Sequence, residues 1–147
     1  MMAITQSAAE TRALGMRLAE KLKAGDVVLL EGELGAGKSE LARGIAKGLG
    51  VTETVTSPSF TILNMYESGR IPLYHFDWYR LESEEELYEL GMDEYLGGDG
   101  IALVEWPCRC PDAVPKDCLR IRITAEGDHT RRFEAETRGG FRKTDLE

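Results

Sequence analysis

Hydrophobic spacing predicts a helix and then a strand near the amino terminus. Leucines recur at every fourth position over Leu14–Leu22, behind Ser7 and Glu10 at capping-box spacing, and the pattern predicts an amphipathic helix that ends before Gly25. The run Val27–Leu30 is continuously apolar and has the length of a strand. Such a run is typical of a strand that is covered on both faces, as in a parallel sheet.

The next segments predict a second helix and a hairpin. Apolar residues at spacing four favour a helix over Glu40–Leu49, with Gly50 as its stop signal. Phe60–Leu63 and Leu73–Asp77 have strand-like composition, and the turn residues of Glu67–Arg70 lie between them. We therefore expect two adjacent strands joined by a tight connection.

The rest of the chain predicts one more helix and three strands. Leu81–Leu90 is a short acidic helical pattern, and Ile101–Glu105 is a buried-type strand. Leu119–Thr124 and Arg132–Thr137 flank the turn signal Glu126–Asp128 and predict a late hairpin. Together these elements predict an α/β fold in a single domain over residues 1–147, with a mixed, mostly parallel sheet and helices on its faces.

Charge and composition narrow the function classes. The 147 residues include 26 acidic and 18 basic side chains, for a formal net charge of -8. Such a chain offers no general attraction to phosphate backbones or anionic lipid, so we expect no unaided nucleic-acid binding. The amino terminus lacks the basic and apolar regions of a signal peptide, and no apolar run approaches the length of a membrane span, so we expect a cytoplasmic protein.

The cysteines and histidines do not indicate a metal centre. Cys108, Cys110 and Cys118 are odd in number and the first two have Cys-x-Cys spacing, whereas zinc sites usually show Cys-x2-Cys or histidine pairs. His75 alternates with apolar neighbours on a predicted strand, and we expect it to be packed rather than catalytic. His129 stands alone in a polar segment.

The strongest chemical signal is a glycine-rich segment between the first predicted strand and the second helix. Residues 32–39 read GELGAGKS and satisfy the phosphate-binding pattern G-x-x-x-x-G-K-[ST] in the strand–loop–helix context that it requires. Its backbone N–H groups and the N-terminus of the following helix can bind phosphate oxygens. Lys38 can reach the β- and γ-phosphates, and the hydroxyl of Ser39 can bind Mg²⁺. The alternative is a glycine-rich turn with a chance Lys-Ser pair.

Two carboxylates follow apolar strands and are candidates for metal binding and catalysis. Glu105 closes the strand that begins at Ile101, in the manner of a Walker B residue, and Asp77 closes the strand that begins at Leu73. The carboxyl ends of parallel strands converge on the ligand crevice of open α/β sheets. Either carboxylate could instead cap a helix or end a strand in solvent.

Five sequence blocks together resemble one protein family. In chain order they read GELGAGKS, VTSPSFTILNMY, LYHFDWYRL, GMDEYL and ALVEWP, and they cover roughly residues 32–107. The chain resembles the TsaE family, formerly YjeE, of bacterial P-loop ATPases in tRNA threonylcarbamoyladenosine synthesis. The resemblance implies a P-loop NTPase fold, ATP and Mg²⁺ as ligands, weak ATPase activity alone, stimulation by the partners TsaD and TsaB, and only indirect contact with tRNA.

The resemblance also implies roles for particular residues. It assigns Lys38, Asp77 and Glu105 to catalysis, Mg²⁺ to Ser39 and Glu105, and a segment that senses the γ-phosphate to residues 57–59. Thr11, on the first helix, and a late arginine, placed at Arg132, are implied to hold the nucleoside. The implied nucleotide-binding residues are Gly32, Gly35, Ala36, Gly37, Lys38, Ser39, Glu40, Thr11 and Arg132.

Three other functions share the glycine-rich motif. A small-molecule kinase would need a second substrate pocket and a lid with arginines, whereas the middle of this chain is acidic. A GTPase is disfavoured because Asp-x-x-Gly is absent and the one Lys-x-Asp, residues 143–145, lies in the polar tail. The third alternative is a nucleotide-gated interaction module with almost no hydrolysis of its own. It overlaps with an ATPase whose site is completed by its partners.

Overall fold

Helices and strands alternate along the chain in the computed structural model, which describes residues 1–33 and 35–144. In chain order the elements are β1 (Met2–Thr5), α1 (Ala8–Ala19), β2 (Val27–Glu31), α2 (Lys38–Gly48), β3 (Leu63–Tyr66), β4 (Leu73–Asp77), α3 (Glu84–Glu89), β5 (Ile101–Glu105), β6 (Cys118–Ala125) and β7 (Arg131–Arg138). Short 3₁₀ turns cover Met92–Tyr95, Pro107–Arg109 and Pro111–Ala113. Leu34 of the predicted phosphate-binding motif and Asp145 of the Lys-x-Asp sequence lie outside the described residues.

The strands form one mixed sheet in the order β1-β7-β6-β2-β5-β4-β3. Its centre is parallel, through the pairs β6–β2, β2–β5 and β5–β4, and its edges are antiparallel, through β1–β7, β7–β6 and β4–β3. The mixed α/β architecture is confirmed, with the parallel strands confined to the middle of the sheet. The carboxyl ends of β2, β4 and β5 therefore lie at the same edge.

Two strands differ from the sequence prediction. β1 was not predicted, because four residues that pair only with β7 carry no distinct pattern. The strand expected at Phe60–Leu63 is wrong: β3 begins at Leu63, since the Ile62 N–H donates to the Pro58 carbonyl and Ile62 has a φ of 68°. The backbone becomes extended only after this turn, and the predicted hairpin of β3 and β4 then forms.

The predicted helices are present with shifted ends. Ser7 caps α1 by accepting from the Glu10 N–H at 3.1 Å, as the capping-box spacing predicted, but α1 ends at Ala19, earlier than expected. α2 begins at Lys38 and α3 covers only Glu84–Glu89, after Ser83 in extended conformation. Helix ends depend on tertiary contacts that local patterns do not contain.

Helices cover both faces of the central strands. α1 and α2 lie on one face over Val28, Leu30 and Leu103, and α3 lies on the other, where Leu87 joins Phe76 in a second core cluster. In the described ranges, no helix is long and apolar enough to cross a membrane.

Glycines allow α1 and α2 to pack closely, with their N-termini at the same end. A Cβ at Gly44 would stand 2.2 Å from the Arg12 carbonyl oxygen, and one at Gly15 would stand 2.6 Å from the Leu41 carbonyl oxygen. Both distances are below any real contact of such atoms, so only glycine fits. The packing places the start of α1 beside the first turn of α2.

Candidate functional site

The glycine-rich loop connects β2 to α2 at the carboxyl edge of the sheet. Gly35 and Gly37 have φ values of 81° and 111°, in the left-handed region that favours glycine. A Cβ at Gly32 would stand 2.7 Å from the Ile123 carbonyl oxygen, so a larger residue would push the loop away from β6. The loop thereby presents the N-terminus of α2, where unpaired N–H groups and the helix dipole favour an anion.

Lys38, the first residue of α2, is buried and directed back toward the loop. Its side chain is 5% exposed, its Nζ donates to the Gly32 carbonyl at 2.7 Å, and Nζ lies 4.1 Å from the centroid of the Trp106 ring. Burial lowers the pKa of Lys38, and the nearby carboxylates of Glu105 and Asp77 oppose that shift. An anion in this position would therefore improve the solvation of a partly desolvated ammonium group.

The two candidate carboxylates stand side by side. Asp77 ends β4 and Glu105 ends β5, and the two residues are direct partners in the parallel register. Their exposures are 6% and 5%, so neither is a strand end in solvent. Asp77 Oδ1 accepts from the Tyr79 N–H at 2.9 Å, which shows that it also supports a local turn. Two carboxylates this buried beside a lysine form a charged cluster. Burying such a cluster costs free energy unless it binds a ligand.

His75 contacts Glu105 across the two strands. His75 Nε2 lies 2.6 Å from Glu105 Oε2, and the imidazole is 2% exposed. The sequence prediction that His75 is packed is confirmed, but its polar contact was not foreseen. Since a carboxylate needs a donor, the contact favours the tautomer with hydrogen on Nε2, and the opposite nitrogen, Nδ1, has no hydrogen-bond partner among the described residues. The imidazole holds one oxygen of Glu105 in place.

Lys38, Asp77 and Glu105 line one cavity of about 250 Å³, here named the Lys38 cavity. Its walls are Gly35, Gly37, Lys38, Ser39, Glu40, Ser57, Ser59, Asp77, Glu105 and Trp106. The hydroxyls of Ser57 and Ser59 lie 2.7 Å apart on its rim. The structure thus brings together the predicted phosphate loop, both carboxylates and the predicted γ-phosphate segment.

The donor set of the Lys38 cavity suits a metal ion that is also bound by phosphate. Within residues 1–33 and 35–144, no group of three or more His, Cys, Asp or Glu side chains could hold a metal by itself. Mg²⁺ is commonly held by one or two protein oxygens together with substrate phosphates and water. Ser39 and Glu105 both line the cavity and are the oxygen donors that would serve.

A second cavity, of about 190 Å³, lies where α1 meets the loop and is here named the Arg131 cavity. Thr11, predicted to hold the nucleoside, lines this cavity, although its hydroxyl is already bonded to the Thr5 hydroxyl at 2.7 Å. Glu40 lines both cavities, but its carboxylate is ion-paired with Arg12 and Arg43. Both carboxylate oxygens of Glu40 are thus already paired.

The structure does not bring Arg132 to the glycine-rich loop. Arg132 Nε lies 2.6 Å from a carboxylate oxygen of Glu126, whereas the Arg131 side chain passes 3.8 Å from where a Cβ on Gly37 would stand. Successive side chains of a strand point to opposite faces, and Arg131 shares its face with the buried Phe133. The arginine beside the loop is therefore Arg131, a correction of the predicted position by one residue.

A third and larger cavity, of about 550 Å³, lies on the other side of the loop and is here named the Cys108 cavity. It is bordered by Glu33 and Ala36 of the loop, by Cys108, and by Arg122 and Ala125 of β6. It contains neither Lys38 nor the two carboxylates. Its size does not by itself indicate chemistry.

Two contributors to the site were missed from the sequence, although each had a signal. The apolar residues Phe133 and Ala135 alternate along β7, and the same alternation points to Arg131 rather than Arg132. His75 precedes Asp77 by two residues and so shares its face of β4, which leads toward Glu105 once β4 and β5 are paired.

The fold and the Lys38 cavity define a mixed α/β protein whose glycine-rich loop, at the N-terminus of α2, faces two buried carboxylates. A model of the family described as "Threonylcarbamoyl adenosine biosynthesis protein TsaE" matches residues 5–133, and the chain belongs to this family. The family takes part in the biosynthesis of threonylcarbamoyladenosine in tRNA.

Individual relatives agree with this assignment. The chain is 48% identical to the TsaE protein of Bacillus subtilis over 122 residues, which is 83% of this chain and 76% of that protein. It is 39% identical to TsaE of Treponema pallidum over 130 residues, 87% of this chain and 96% of that protein. The crystal structure of Bacillus subtilis YdiB superposes with a TM-score of 0.81 at 40% identity, covering 95% of this chain and 86% of that one.

Proposed function

We propose that the chain is a Mg²⁺-dependent P-loop ATPase, slow alone and stimulated by TsaD and TsaB, that serves threonylcarbamoyladenosine synthesis in tRNA. The observation that carries the proposal is the convergence of Lys38, Ser39, Asp77 and Glu105 on one cavity at the N-terminus of α2. Concentrated negative charge would be matched there by an ammonium group, loop N–H groups and the helix dipole.

Each residue has a distinct task in this proposal. The loop and Lys38 bind and orient the phosphates of ATP, and Ser39 and Glu105 hold Mg²⁺, which neutralises phosphate charge when bound. Glu105 already has one oxygen fixed by His75. Asp77 uses Oδ1 for the Tyr79 N–H, and its other oxygen, which accepts no hydrogen bond from a described residue, orients the attacking water or accepts its proton.

The proposal includes partners because a loop forms part of the wall of the Lys38 cavity. The carboxylates are held on a rigid sheet, whereas the Ser57–Ser59 segment belongs to a loop with an exposed neighbour, Phe60. Completion of a phosphoryl-transfer site by a second protein is a known source of large stimulation. With a net charge of -8, the chain leaves direct contact with tRNA to those partners.

The test is ATP turnover by the wild type and by Lys38→Ala, Asp77→Ala and Glu105→Ala, each with and without TsaD and TsaB. Lys47→Ala, an exposed lysine in the last turn of the same helix, is the matched control. We expect the three site variants to lose turnover in both conditions and the control to retain it. Unchanged turnover in all three would end the proposal, and loss confined to Lys38 and Glu105 would end only the role of Asp77.

The same assay separates the kinase alternative. Adding candidate small-molecule acceptors should leave the ATP turnover unchanged, because phosphate is released to water. Robust transfer to an acceptor would identify a kinase instead.

A further inference from the structure

Exposed aromatic and arginine side chains lie next to the Lys38 cavity and form what is here named the arginine–aromatic patch: Phe60, Tyr79, Arg80 and Arg109. Phe60 is 82% exposed, and the guanidinium carbon of Arg80 lies 4.4 Å from its ring centroid. The guanidinium carbon of Arg109 lies 5.2 Å from the ring centroid of Tyr79. Tyr79 in turn packs on Trp106 of the cavity, with ring centroids 4.9 Å apart.

The two arginines of this patch differ from most others. Arg12, Arg120, Arg132, Arg138 and Arg142 all have carboxylate partners. By contrast, Arg80 and Arg109 form no ion pair with any residue in the described ranges, although acidic residues outnumber basic ones by 26 to 18. The patch therefore combines uncompensated positive charge with exposed aromatic surface, which are the side chains enriched at protein interfaces.

We propose that the arginine–aromatic patch is the docking surface for an acidic surface of a protein partner. Carboxylates of the partner would pair with Arg80 and Arg109, and its apolar groups would cover Phe60 and Tyr79. The proposal rests on the proposed function in that the partner is sought in TsaD and TsaB.

Charge favours a protein over RNA as the occupant. The overall charge of -8 repels a polyanion, and the first turn of α3, which begins four residues after Arg80, carries Glu84, Glu85 and Glu86. A protein surface can instead present a few carboxylates to two arginines without bringing a continuous line of phosphates past the acidic helix.

Docking at this patch would affect the candidate catalytic groups, because residues of the patch lie close to them along the chain. The Tyr79 N–H holds Asp77 Oδ1 at 2.9 Å, and Phe60 directly follows Ser59 of the cavity wall. A partner that orders the patch would thus also order the carboxylate and the hydroxyl segment beside it. The surface accounts for both attachment and stimulation.

The experiment measures the affinity of the TsaD–TsaB pair for the full chain by titration calorimetry. Arg80→Glu and Arg109→Glu should each weaken binding by about tenfold or more, and Arg80→Gln by less. Arg17→Glu, at an exposed arginine of α1 that also lacks an ion pair with a described residue, makes the same charge change and should stay within about twofold of the wild type. Equal melting temperatures show that the variants are folded.

Several results would overturn the docking surface. They are unchanged binding by both arginine-to-glutamate variants, equal weakening by Arg17→Glu, absence of wild-type binding to TsaD–TsaB, or tRNA binding by the wild type that Arg80→Glu abolishes. The proposed function fails separately: it fails if Lys38→Ala, Asp77→Ala and Glu105→Ala all keep their ATP turnover, whereas the docking surface fails on binding alone, with basal turnover of Arg80→Glu expected to match the wild type.

Discussion

The Lys38 cavity and the Arg131 cavity flank the same loop but are built differently. The first combines buried charges from α2, β4 and β5, and its carboxylates are direct neighbours in the sheet. The second joins the start of α1 to the start of β7, where the side chains are mostly exposed or already paired. Charges buried at such a cost in free energy are typical of a catalytic site. The polar and accessible walls of the second cavity are typical of a subsite that adds binding affinity.

The largest effect is expected for Lys38→Ala. Removing the ammonium group should lower ATP turnover on the order of 100-fold or more and should also weaken binding of inorganic tripolyphosphate, because both depend on the Lys38 cavity. Calorimetry and phosphate release measure the two effects. If tripolyphosphate bound equally well after the substitution, Lys38 would not take part in phosphate recognition.

The two carboxylates should separate in their metal dependence. Glu105→Gln should raise the Mg²⁺ concentration for half-maximal turnover by about tenfold or more, because it weakens a proposed direct ligand of the ion. Asp77→Asn should lower maximal turnover on the order of 100-fold and leave that concentration unchanged. Glu33→Gln, an exposed carboxylate of the same loop, is the control. An identical change in Mg²⁺ dependence in both variants would contradict the separate roles of Glu105 and Asp77.

A smaller effect is expected at His75, which acts through Glu105. His75→Leu should raise the Mg²⁺ requirement by about tenfold, and His75→Gln, whose amide can still donate to Glu105, should recover part of it. With only two histidines in the chain, ¹⁵N NMR can read the tautomer of His75 directly, and His129→Gln assigns the signals. Hydrogen on Nδ1 instead of Nε2, or equal effects of both His75 substitutions, would contradict the positioning role.

The smallest effect tests the Arg131 cavity. Arg131→Ala should weaken ATP binding by about fivefold and leave tripolyphosphate binding unchanged, since a half-buried arginine at the surface contributes about 1 kcal/mol. Arg132→Ala should change neither, because Arg132 is paired with Glu126. The opposite ranking of the two arginines would restore the position predicted from the sequence.

The same contrast explains how far the sequence could predict the site. The Lys38 cavity was predictable because a local motif sets residues 32–39 and because Asp77 and Glu105 each follow an apolar run. The Arg131 cavity depends on pairing between chain ends that are 126 residues apart, as in the partners Thr5 and Arg131. No local pattern contains β1.

Smaller errors have the same origin in long-range or turn geometry. The contact of His75 with Glu105 exists only once β4 and β5 are paired. The strand expected at Phe60–Leu63 failed because a turn after Pro58 sets Ile62 in the left-handed region, which residue propensity does not reveal. Core strands and helices were predicted well because the apolar residues that form their periodic pattern are the ones buried in the core.

A crystal structure with Mg²⁺ and a non-hydrolysable ATP analogue would show directly whether the Lys38 cavity binds the nucleotide. We expect the triphosphate on residues 35–39, Mg²⁺ on Ser39 and Glu105, and the base in the Arg131 cavity. A base in the larger Cys108 cavity would contradict the assignment of the nucleoside side. A triphosphate that left Lys38, Asp77 and Glu105 untouched would contradict the proposed function.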